Sequence, residues 1–182
     1  MRTIDRWLQR WRISKVIRWI RPGDRLLDVG CFDATLLARV ADRVAVGVGI
    51  DPVAEPWEDG NLRIVRGPLP GAPVFESSSF DCVTVLAVLE HVREVDSFAA
   101  ELHRILCPGG RVVVTVPHPI VDPILDALVK VRLIDGMDLG EHHGFDTSQT
   151  VPIFERAGFE LEVARRFQLG LNQLFVFSKP PA

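Results

Sequence analysis

The chain has 182 residues, of which 47% are hydrophobic and 25% charged, and its formal net charge is −3. This size and composition are ordinary for one globular domain, and no apolar run approaches the ~20 residues of a membrane span. The first residues are too charged for the core of a signal peptide, and the three cysteines, Cys31, Cys82 and Cys107, form no C-x-x-C pair. We therefore expect buried, reduced thiols in a cytoplasmic protein.

Residues 1–22 form a basic segment that is predicted to be helical. Residues 1–25 contain eight basic and two acidic side chains, so they carry +6 while the remaining residues carry −9. Three tryptophans lie among the arginines: Trp7, Trp11 and Trp19. We expect a helical lid that packs its indoles on the domain or its cleft and exposes its arginines. Binding of nucleic acid or anionic lipid is the alternative, which one short basic helix supports weakly. Ser14 is placed to cap a second short helix over 15–20.

The rest of the chain alternates between strand and helix patterns. The predicted strands are 25–29, 44–50, 62–66, 80–86, 111–116, 160–168 and 172–178, and the predicted helices are 34–41, 95–106 and 147–157. The connection over 52–60 is too short for a full helix. We predict a single domain over 1–182 with a doubly wound, Rossmann-like α/β fold. Its sheet has seven mostly parallel strands with an antiparallel last strand, and helices cover both faces.

Two acids mark the start of a nucleoside site in this fold. Asp28 and Gly30 end the first strand, and Asp51 ends the second, where it is placed to accept hydrogen bonds from ribose hydroxyls. Phe32 and Asp33 stand where a dinucleotide's pyrophosphate needs bare backbone, so a nicotinamide cofactor is nearly excluded. Acids suit a ligand with positive charge instead, such as S-adenosylmethionine, which carries an ammonium and a sulfonium and no phosphate.

Four stretches, in order and at normal spacing, resemble the class I S-adenosylmethionine-dependent methyltransferases of the small-molecule type. They are L-D-V-G-C at 27–31, G-I-D at 49–51, F-D-C-V-T-V-L-A-V-L-E-H-V at 80–92 and L-H-R-I-L-C-P-G-G-R-V-V-V at 102–114. The resemblance implies S-adenosylmethionine as cofactor and methyl transfer to a small-molecule acceptor at an oxygen, nitrogen or carbon nucleophile. The cofactor-binding residues that it implies are Asp28, Gly30, Cys31, Phe32, Asp51, Pro52, Gly67, Leu86 and Ala87.

The chain departs from the family pattern at three places. Phe32 and Ala34 stand at two glycine positions, and the Phe32 ring is expected where the methionine part of the cofactor lies. The segment around Gly67 has no acid for the adenine amino group, so adenine would be held by backbone and apolar contacts. These departures support an alternative function, a non-catalytic binding or interaction domain of the same fold with a degraded cofactor site.

Three histidines are candidates for a catalytic proton acceptor, which is needed only if the acceptor must lose a proton. His118 follows the fifth predicted strand between two prolines, and His143 lies in the loop before the last helix. His91 follows the fourth strand, where capping is its more ordinary role. A metal site is not predicted, because His118, Asp122, His142 and His143 lack helical or hairpin spacing.

Residues 119–146 are predicted to be an inserted, lid-like segment. It is mostly apolar over 120–137, which favours an apolar or aromatic acceptor if it covers the substrate pocket. Completion of the core and a homodimer contact are the alternatives. No N-P-P-Y-type or paired-cysteine motif follows the fourth strand, so methylation of DNA or RNA bases is disfavoured. The expected partner is a small-molecule methyl acceptor, with neither nucleic acid nor a membrane span.

Overall fold

The computed structural model describes residues 3–71, 74–117 and 146–181, with side chains from residue 6 onward. The helices are α1 (Thr3–Val16), α2 (Thr35–Val40), α3 (Val95–Ile105) and α4 (Thr150–Arg156). The strands are β1 (Arg25–Val29), β2 (Val46–Asp51), β3 (Trp57–Asp59), β4 (Leu62–Arg66), β5 (Phe80–Leu86), β6 (Leu106–Pro117), β7 (Glu160–Phe167) and β8 (Asn172–Ser178). Short 3-10 turns occupy Ile17–Trp19, Leu89–His91, Thr147–Gln149 and Gln168–Gly170.

Within these ranges the strands form one sheet in the order β3-β4-β2-β1-β5-β6-β8-β7. Strands β4, β2, β1, β5 and β6 are parallel, and β8 runs antiparallel to both β6 and β7. This is the predicted doubly wound fold with its antiparallel last strand. The structure adds an eighth strand, β3, which pairs antiparallel with β4 at the edge of the sheet. All three β3 residues are exposed, so they carry no alternating apolar pattern that would predict a strand.

Side chains of the central strands alternate between two apolar layers, as the two-residue period of a strand requires. Leu27 faces the layer that holds Phe98 of α3 and the apolar residues of α4. Leu26 faces the other layer, which contains Val16 of α1 and Leu37 of α2. Helices therefore cover both faces of the sheet, as the sequence predicts. No helix of the described residues has both the length and the apolar character to cross a bilayer.

The N-terminal basic segment differs from its prediction in two ways. Helix α1 continues through Ser14, so the prediction of a new helix capped there is wrong. The Ser14 hydroxyl donates to the carbonyl of Trp11 at 2.6 Å, a bond that a serine can make inside a helix. Arg10 is exposed as expected, but Trp7 is 58% exposed rather than packed on the domain.

The three cysteines are free thiols, and Cys31 and Cys82 are buried. Burial raises the pKa of each of these two thiols to about 12, so both stay protonated. Cys107 is only half-buried, contrary to expectation. Its thiol donates to the carbonyl of Ser78 at 2.9 Å, near the Arg25 guanidinium.

A buried ion pair joins the segment after α1 to strand β6. The Arg111 guanidinium donates to the carboxylate of Asp24 and to the carbonyl of Trp19. The Asp24 carboxylate also accepts a hydrogen bond from the backbone N–H of Arg21 at 2.6 Å. The Arg111 and Asp24 side chains are 4% and 7% exposed, so neither charge has water to replace a lost partner.

We predict that Arg111→Met lowers the free energy of unfolding by about 3–5 kcal/mol, because it leaves the Asp24 carboxylate buried and unpaired. Guanidinium titration at neutral pH measures this loss. The control is Arg156→Met, whose ion pair with Asp96 is solvent-exposed and is expected to contribute less than about 1 kcal/mol. Equal losses in the two variants would contradict the role given to the buried pair.

Candidate functional site

The order of the strands defines where a ligand binds in this fold. Strand β1 lies between β2 and β5, so the chain leaves the centre of the sheet toward opposite sides and opens a crevice at the carboxyl ends of β1 and β5. We call the line of carboxyl ends of β4, β2, β1 and β5 the open edge. All nine residues expected to bind a cofactor belong to these strand ends or to the loops that follow them.

Asp51 joins two loops of the open edge. Its Oδ1 accepts hydrogen bonds from the N–H groups of Val53 and Ala54 at 2.9 and 3.1 Å, and its Oδ2 accepts from the N–H of Phe32 at 3.1 Å. The Asp51 carbonyl accepts from the N–H of Gly67 at 3.1 Å. A carboxylate offers about four acceptor positions, so one position of the Asp51 carboxylate is left for a ligand hydroxyl.

The loop after β1 contains three residues with positive φ. They are Gly30 at 72°, Phe32 at 43° and Ala34 at 56°, which lie in the left-handed region that favours glycine. A Cβ at Gly30 would overlap the side chain of Val88, so packing against the turn after β5 requires glycine here whatever the ligand. The Phe32 side chain is 59% exposed, and its ring is therefore not buried in the crevice.

The turn after β5 forms the other wall of the crevice. Ala87 has a φ of 58°, and its N–H donates to the carbonyl of Thr115 in β6 at 2.9 Å. The 3-10 turn Leu89–His91 follows, with Glu90 buried and the His91 side chain exposed. The structure thus places His91 at the open edge, on its solvent side.

Asp28 lies beneath the crevice with an unusual ionisation. The residue is 4% exposed, and its Oδ1 accepts a hydrogen bond of 2.6 Å from the hydroxyl of Thr84 in β5. Burial raises the pKa of Asp28 to about 7, with smaller contributions from the charges of Asp33 and Asp51, while the Thr84 hydrogen bond opposes the shift. At neutral pH the carboxyl group is therefore divided between its neutral and charged forms.

Helix α1 makes two side-chain hydrogen bonds near the carboxyl ends of the strands, one to the loop after β1 and one to the turn between β7 and β8. The Gln9 amide donates to the carboxylate of Asp33 at 3.1 Å, and the Gln168 amide donates to the carbonyl of Leu8 at 2.9 Å. One turn after Gln9, the Nε atom of Arg12 is buried without a hydrogen-bond partner among the described residues. Burial lowers the pKa of Arg12, and the charge of Glu90 opposes this shift.

Sequence reasoning missed Arg12 as a site residue. Arg12 adjoins Ile13 and lies four residues before Val16, both of which are buried. An arginine next to the apolar stripe of a helix is the signal that could have identified it, because Arg6 and Arg10 of α1 are exposed whereas Arg12 is half-buried.

Two of the three catalytic candidates, His118 and His143, lie outside the described residues, as do Asp122, His142 and all of the lid-like segment 119–146 except Asp146. Their roles stay predictions. Across residues 3–71, 74–117 and 146–181, no group of three or more His, Cys, Asp or Glu side chains is arranged to hold a metal ion.

Comparison with known proteins agrees with this geometry. Residues 27–114 match the family model described as a methyltransferase domain, a range that begins within β1 and ends within β6. The chain belongs to the class I S-adenosylmethionine-dependent methyltransferase family. Among solved structures, a chain in the complex of the Haloferax volcanii Trm112 methyltransferase activator with a methyltransferase superposes with a TM-score of 0.75. That likeness covers 93% of this chain and 90% of the other at 16% identity, and it is a likeness of fold.

Two relatives of this methyltransferase-family chain have named activities. The demethylmenaquinone methyltransferase of Clavibacter sepedonicus is 31% identical over 140 residues, which are 67% of this chain and 55% of that protein. The nocamycin O-methyltransferase of Saccharothrix syringae is 37% identical over 115 residues, which are 54% of this chain and 40% of that protein. The chain therefore spans about half the length of these relatives.

The ionisation of Asp28 predicts a pH-dependent stability. Its folded-state pKa is raised above the unfolded value of about 3.9, so its contribution to stability is complete below pH 4 and is lost as pH rises to about 7. The slope expected for one such group is about −1.4 kcal/mol per pH unit within that window. Asp28→Asn removes this contribution.

We expect the unfolding free energy of Asp28→Asn, relative to the unaltered chain, to increase steadily between pH 4 and pH 7 and then to level off. Urea titrations at a series of pH values measure it. Asp96→Asn, at an exposed carboxylate, is the control and is expected to run parallel to the unaltered chain. A parallel profile for Asp28→Asn would show that Asp28 is ionised throughout the window.

Proposed function

We propose that this chain binds S-adenosylmethionine at the open edge and transfers its methyl group to a small-molecule acceptor. The observation that carries the proposal is the charge of the crevice between β1 and β5. Asp28, Asp33 and Asp51 surround the loop after β1, and Glu90 follows β5. Four carboxyl groups at this position suit a cationic nucleoside and oppose a pyrophosphate.

The described residues fit the parts of that cofactor. The remaining acceptor position of the Asp51 carboxylate suits a ribose hydroxyl, and the loops of Pro52, which is exposed, and of Gly67, which is half-buried, are assigned to adenine. The turn at Leu86 and Ala87 faces the loop of Gly30 across the crevice, where the methionine part would lie. Cys31 supports this loop from below, since its side chain packs against Gly49 of β2.

When bound, S-adenosylmethionine supplies a methyl group on a sulfonium, whose departure leaves a neutral thioether. The chain's own residues then have little bond-making to assist: they hold the donor, orient the acceptor in line and exclude water. Asp28 contributes a negative potential beneath the cationic part of the ligand, and Thr84 holds its carboxylate in one orientation. A proton acceptor is needed only for an acceptor such as a hydroxyl.

The names of the relatives support a small organic acceptor. One is a demethylmenaquinone methyltransferase and another is a nocamycin O-methyltransferase, so both carbon and oxygen acceptors occur among proteins similar to this chain. We infer a small-molecule acceptor for this chain as well, with its nucleophilic atom to be identified by experiment.

The binding prediction is that S-adenosylhomocysteine binds in an isothermal titration, whereas NAD and NADP show no micromolar binding. Asp51→Asn should weaken S-adenosylhomocysteine binding at least tenfold, about 1.4 kcal/mol, because it removes one carboxylate acceptor. The control is Asp59→Asn, on the exposed edge strand β3.

Because Asp51 also holds three backbone N–H groups, the ligand must be varied too. An S-adenosylhomocysteine analogue without the 2′- and 3′-hydroxyls should bind the unaltered chain and Asp51→Asn with similar affinity. If the analogue loses as much affinity in the variant as the parent compound does, the effect of Asp51 is on the loop and not on ribose. Micromolar binding of either dinucleotide would overturn the cofactor assignment.

The catalytic prediction concerns histidine. If the acceptor is a hydroxyl, we expect His118→Ala or His143→Ala to lower turnover by roughly 10²–10⁴ with little change in cofactor affinity, and His91→Ala to have a smaller effect. The assay follows S-adenosylhomocysteine release over a panel of phenols, hydroxy acids and amines. Full turnover in both the His118 and His143 variants would mean that positioning alone carries the reaction. Cofactor binding without turnover on any acceptor would favour the non-catalytic alternative.

A further inference from the structure

Three large apolar side chains are exposed to solvent at the end of the molecule that holds the crevice. They are Trp7, Phe32 and Leu169, and we call them the apolar rim. Phe32 follows the carboxyl end of β1. Leu169 follows the carboxyl end of β7, which runs parallel to β6 because both are antiparallel to β8. Single exposed apolar side chains are ordinary on a protein surface, but a group of them indicates a contact surface.

Two hydrogen bonds of α1 hold the members of the apolar rim near one another. The Gln9 amide donates to the carboxylate of the residue that follows Phe32, at 3.1 Å. The carbonyl of Leu8, directly after Trp7, accepts from the amide of the residue that precedes Leu169, at 2.9 Å. The three side chains therefore surround a single turn of α1, beside the loop after β1 that borders the crevice.

Leu169 is the most exposed member of the apolar rim. Its residue is 93% exposed, and its φ is 57°, in the left-handed region that non-glycine residues seldom adopt. Glycine or asparagine would suit this turn better, because both tolerate that φ and neither exposes an apolar side chain. The leucine side chain gains almost no burial within the fold, so its place at this turn is explained by a contact outside the chain.

The exposed side of α1 beside the apolar rim is cationic. Residues 6–21 contain six basic side chains and no acid. Arg6 and Arg10 are exposed one turn apart, and between them in sequence Trp7 packs edge-on against Trp11 with ring centroids 4.9 Å apart. Because residues 1–25 carry +6 and the rest of the chain −9, an anionic surface would attract this end and repel the remainder.

Cations next to exposed apolar side chains match the two layers of an anionic bilayer surface. Arginine binds the phosphates of the headgroups, while tryptophan and leucine enter the boundary between headgroups and acyl chains. A nucleic acid would also attract the arginines and could stack on Trp7, but stacking requires a planar side chain and leaves Leu169 without a role. The combination of Leu169, Trp7 and the arginines therefore favours a lipid surface.

We propose that the chain docks on an anionic phospholipid bilayer through the apolar rim and the exposed arginines of α1. This inference goes beyond the proposed function and does not depend on it. Because the apolar rim lies beside the crevice, a docked chain holds the open edge close to the bilayer.

The first test measures co-sedimentation of the full chain with vesicles. We expect binding to vesicles of equimolar phosphatidylcholine and phosphatidylglycerol at low salt. Binding should be at least tenfold weaker on vesicles of phosphatidylcholine alone, and it should weaken as salt is added, since salt screens the arginines. Absence of binding to the anionic vesicles, or equal binding to both kinds, would overturn the proposal.

The contribution of the arginines is tested by the double variant Arg6→Gln/Arg10→Gln. It should bind the anionic vesicles at least tenfold more weakly, because each basic side chain near such a surface contributes about fivefold. Arg39→Gln/Arg63→Gln is the matched control, with the same loss of charge at exposed positions of α2 and β4. Its binding should stay within about twofold of that of the unaltered chain. Equal weakening of the two double variants would show that net charge alone acts, and would overturn the assigned surface.

The contribution of the apolar rim is tested by Leu169→Asn and Trp7→Ser. Asparagine tolerates the positive φ of residue 169, so the turn is kept. Each variant should bind the anionic vesicles at least fivefold more weakly, because an apolar side chain loses its place in the bilayer. Trp57→Ser, at an exposed tryptophan of the edge strand β3, is the control and should bind normally. Full binding by both Leu169→Asn and Trp7→Ser would overturn the role of the apolar rim.

Insertion can also be followed without relying on the stability of a variant. Phosphatidylcholine with brominated acyl chains, mixed into the anionic vesicles, should quench the tryptophan fluorescence of the unaltered chain, and most of this quenching should be absent in Trp7→Ser. Vesicle binding without any quenching would contradict insertion of the apolar rim. Tighter binding of a DNA or RNA duplex than of vesicles, weakened by Arg6→Gln/Arg10→Gln and unaffected by Leu169→Asn, would assign the surface to nucleic acid instead.

Two control measurements separate docking from folding and from the cofactor site. All of these substitutions are at exposed positions, so the thermal midpoints should be unchanged. Titration of S-adenosylhomocysteine in the absence of vesicles should give the same affinity for Leu169→Asn and Trp57→Ser as for the unaltered chain. Loss of docking with normal S-adenosylhomocysteine binding therefore concerns the lipid surface alone. Vesicle binding by a chain that binds no S-adenosylhomocysteine would support docking and refute only the proposed function.

Discussion

Three backbone N–H groups converge on the Asp51 carboxylate, and the shape of the open edge depends on them. The bond from Phe32 ties the loop after β1 to the end of β2, and the bonds from Val53 and Ala54 shape the loop after β2. The loop after β1 needs such support, since Phe32 and Ala34 both have positive φ, and each such residue costs about 1–3 kcal/mol. The bond from Phe32 to this charged acceptor contributes about 1.5–3 kcal/mol, which offsets part of that strain. Asp51 therefore builds the loop before it can hold any ribose, and both roles require the same carboxylate.

The two buried acids of the crevice, Asp28 and Asp51, differ in the hydrogen-bond donors around their carboxyl groups. The Asp51 carboxylate accepts three backbone N–H donors, whereas the Asp28 carboxyl has one hydroxyl donor and a pKa raised to about 7 by burial. A cation placed near Asp28 would favour its charged form and lower its pKa. Binding of a cationic ligand at neutral pH would then release part of a proton, and the ligand's affinity would rise with pH in this range. Burial of the Asp28 carboxylate is unfavourable in the ligand-free fold, and a bound cation would relieve it. The site would therefore favour positively charged ligands.

The strands at the centre of the sheet were predictable because burial leaves a strong mark on them. β1, β4 and β5 have the bounds that the sequence predicts. Features that depend on tertiary contacts were not predictable in this way. Ser14 has the side chain of a helix cap and yet lies inside α1, and the edge strand β3 is wholly exposed. Of the candidate site, the sequence predicted the acids and glycine of the strand ends, but Arg12 counted only as one of many arginines. Its burial follows from how α1 lies on the sheet, which no local pattern records.

The two ends of the N-terminal segment are attached with different strengths. Near Trp19 the segment is held by the buried pair of Arg111 and Asp24, where loss of a partner costs several kcal/mol. Its other end is held by the Gln9 amide, which bonds Asp33 at the open edge, and by the amide of Gln168 from the turn between β7 and β8. Single hydrogen bonds of this kind contribute about 1 kcal/mol net. The hydrogen bonds at the start of α1 therefore hold it less strongly than the buried ion pair holds the other end of the segment. A ligand that bound both α1 and the loop after β1 would add its own contacts to this weaker end and would stabilise its attachment.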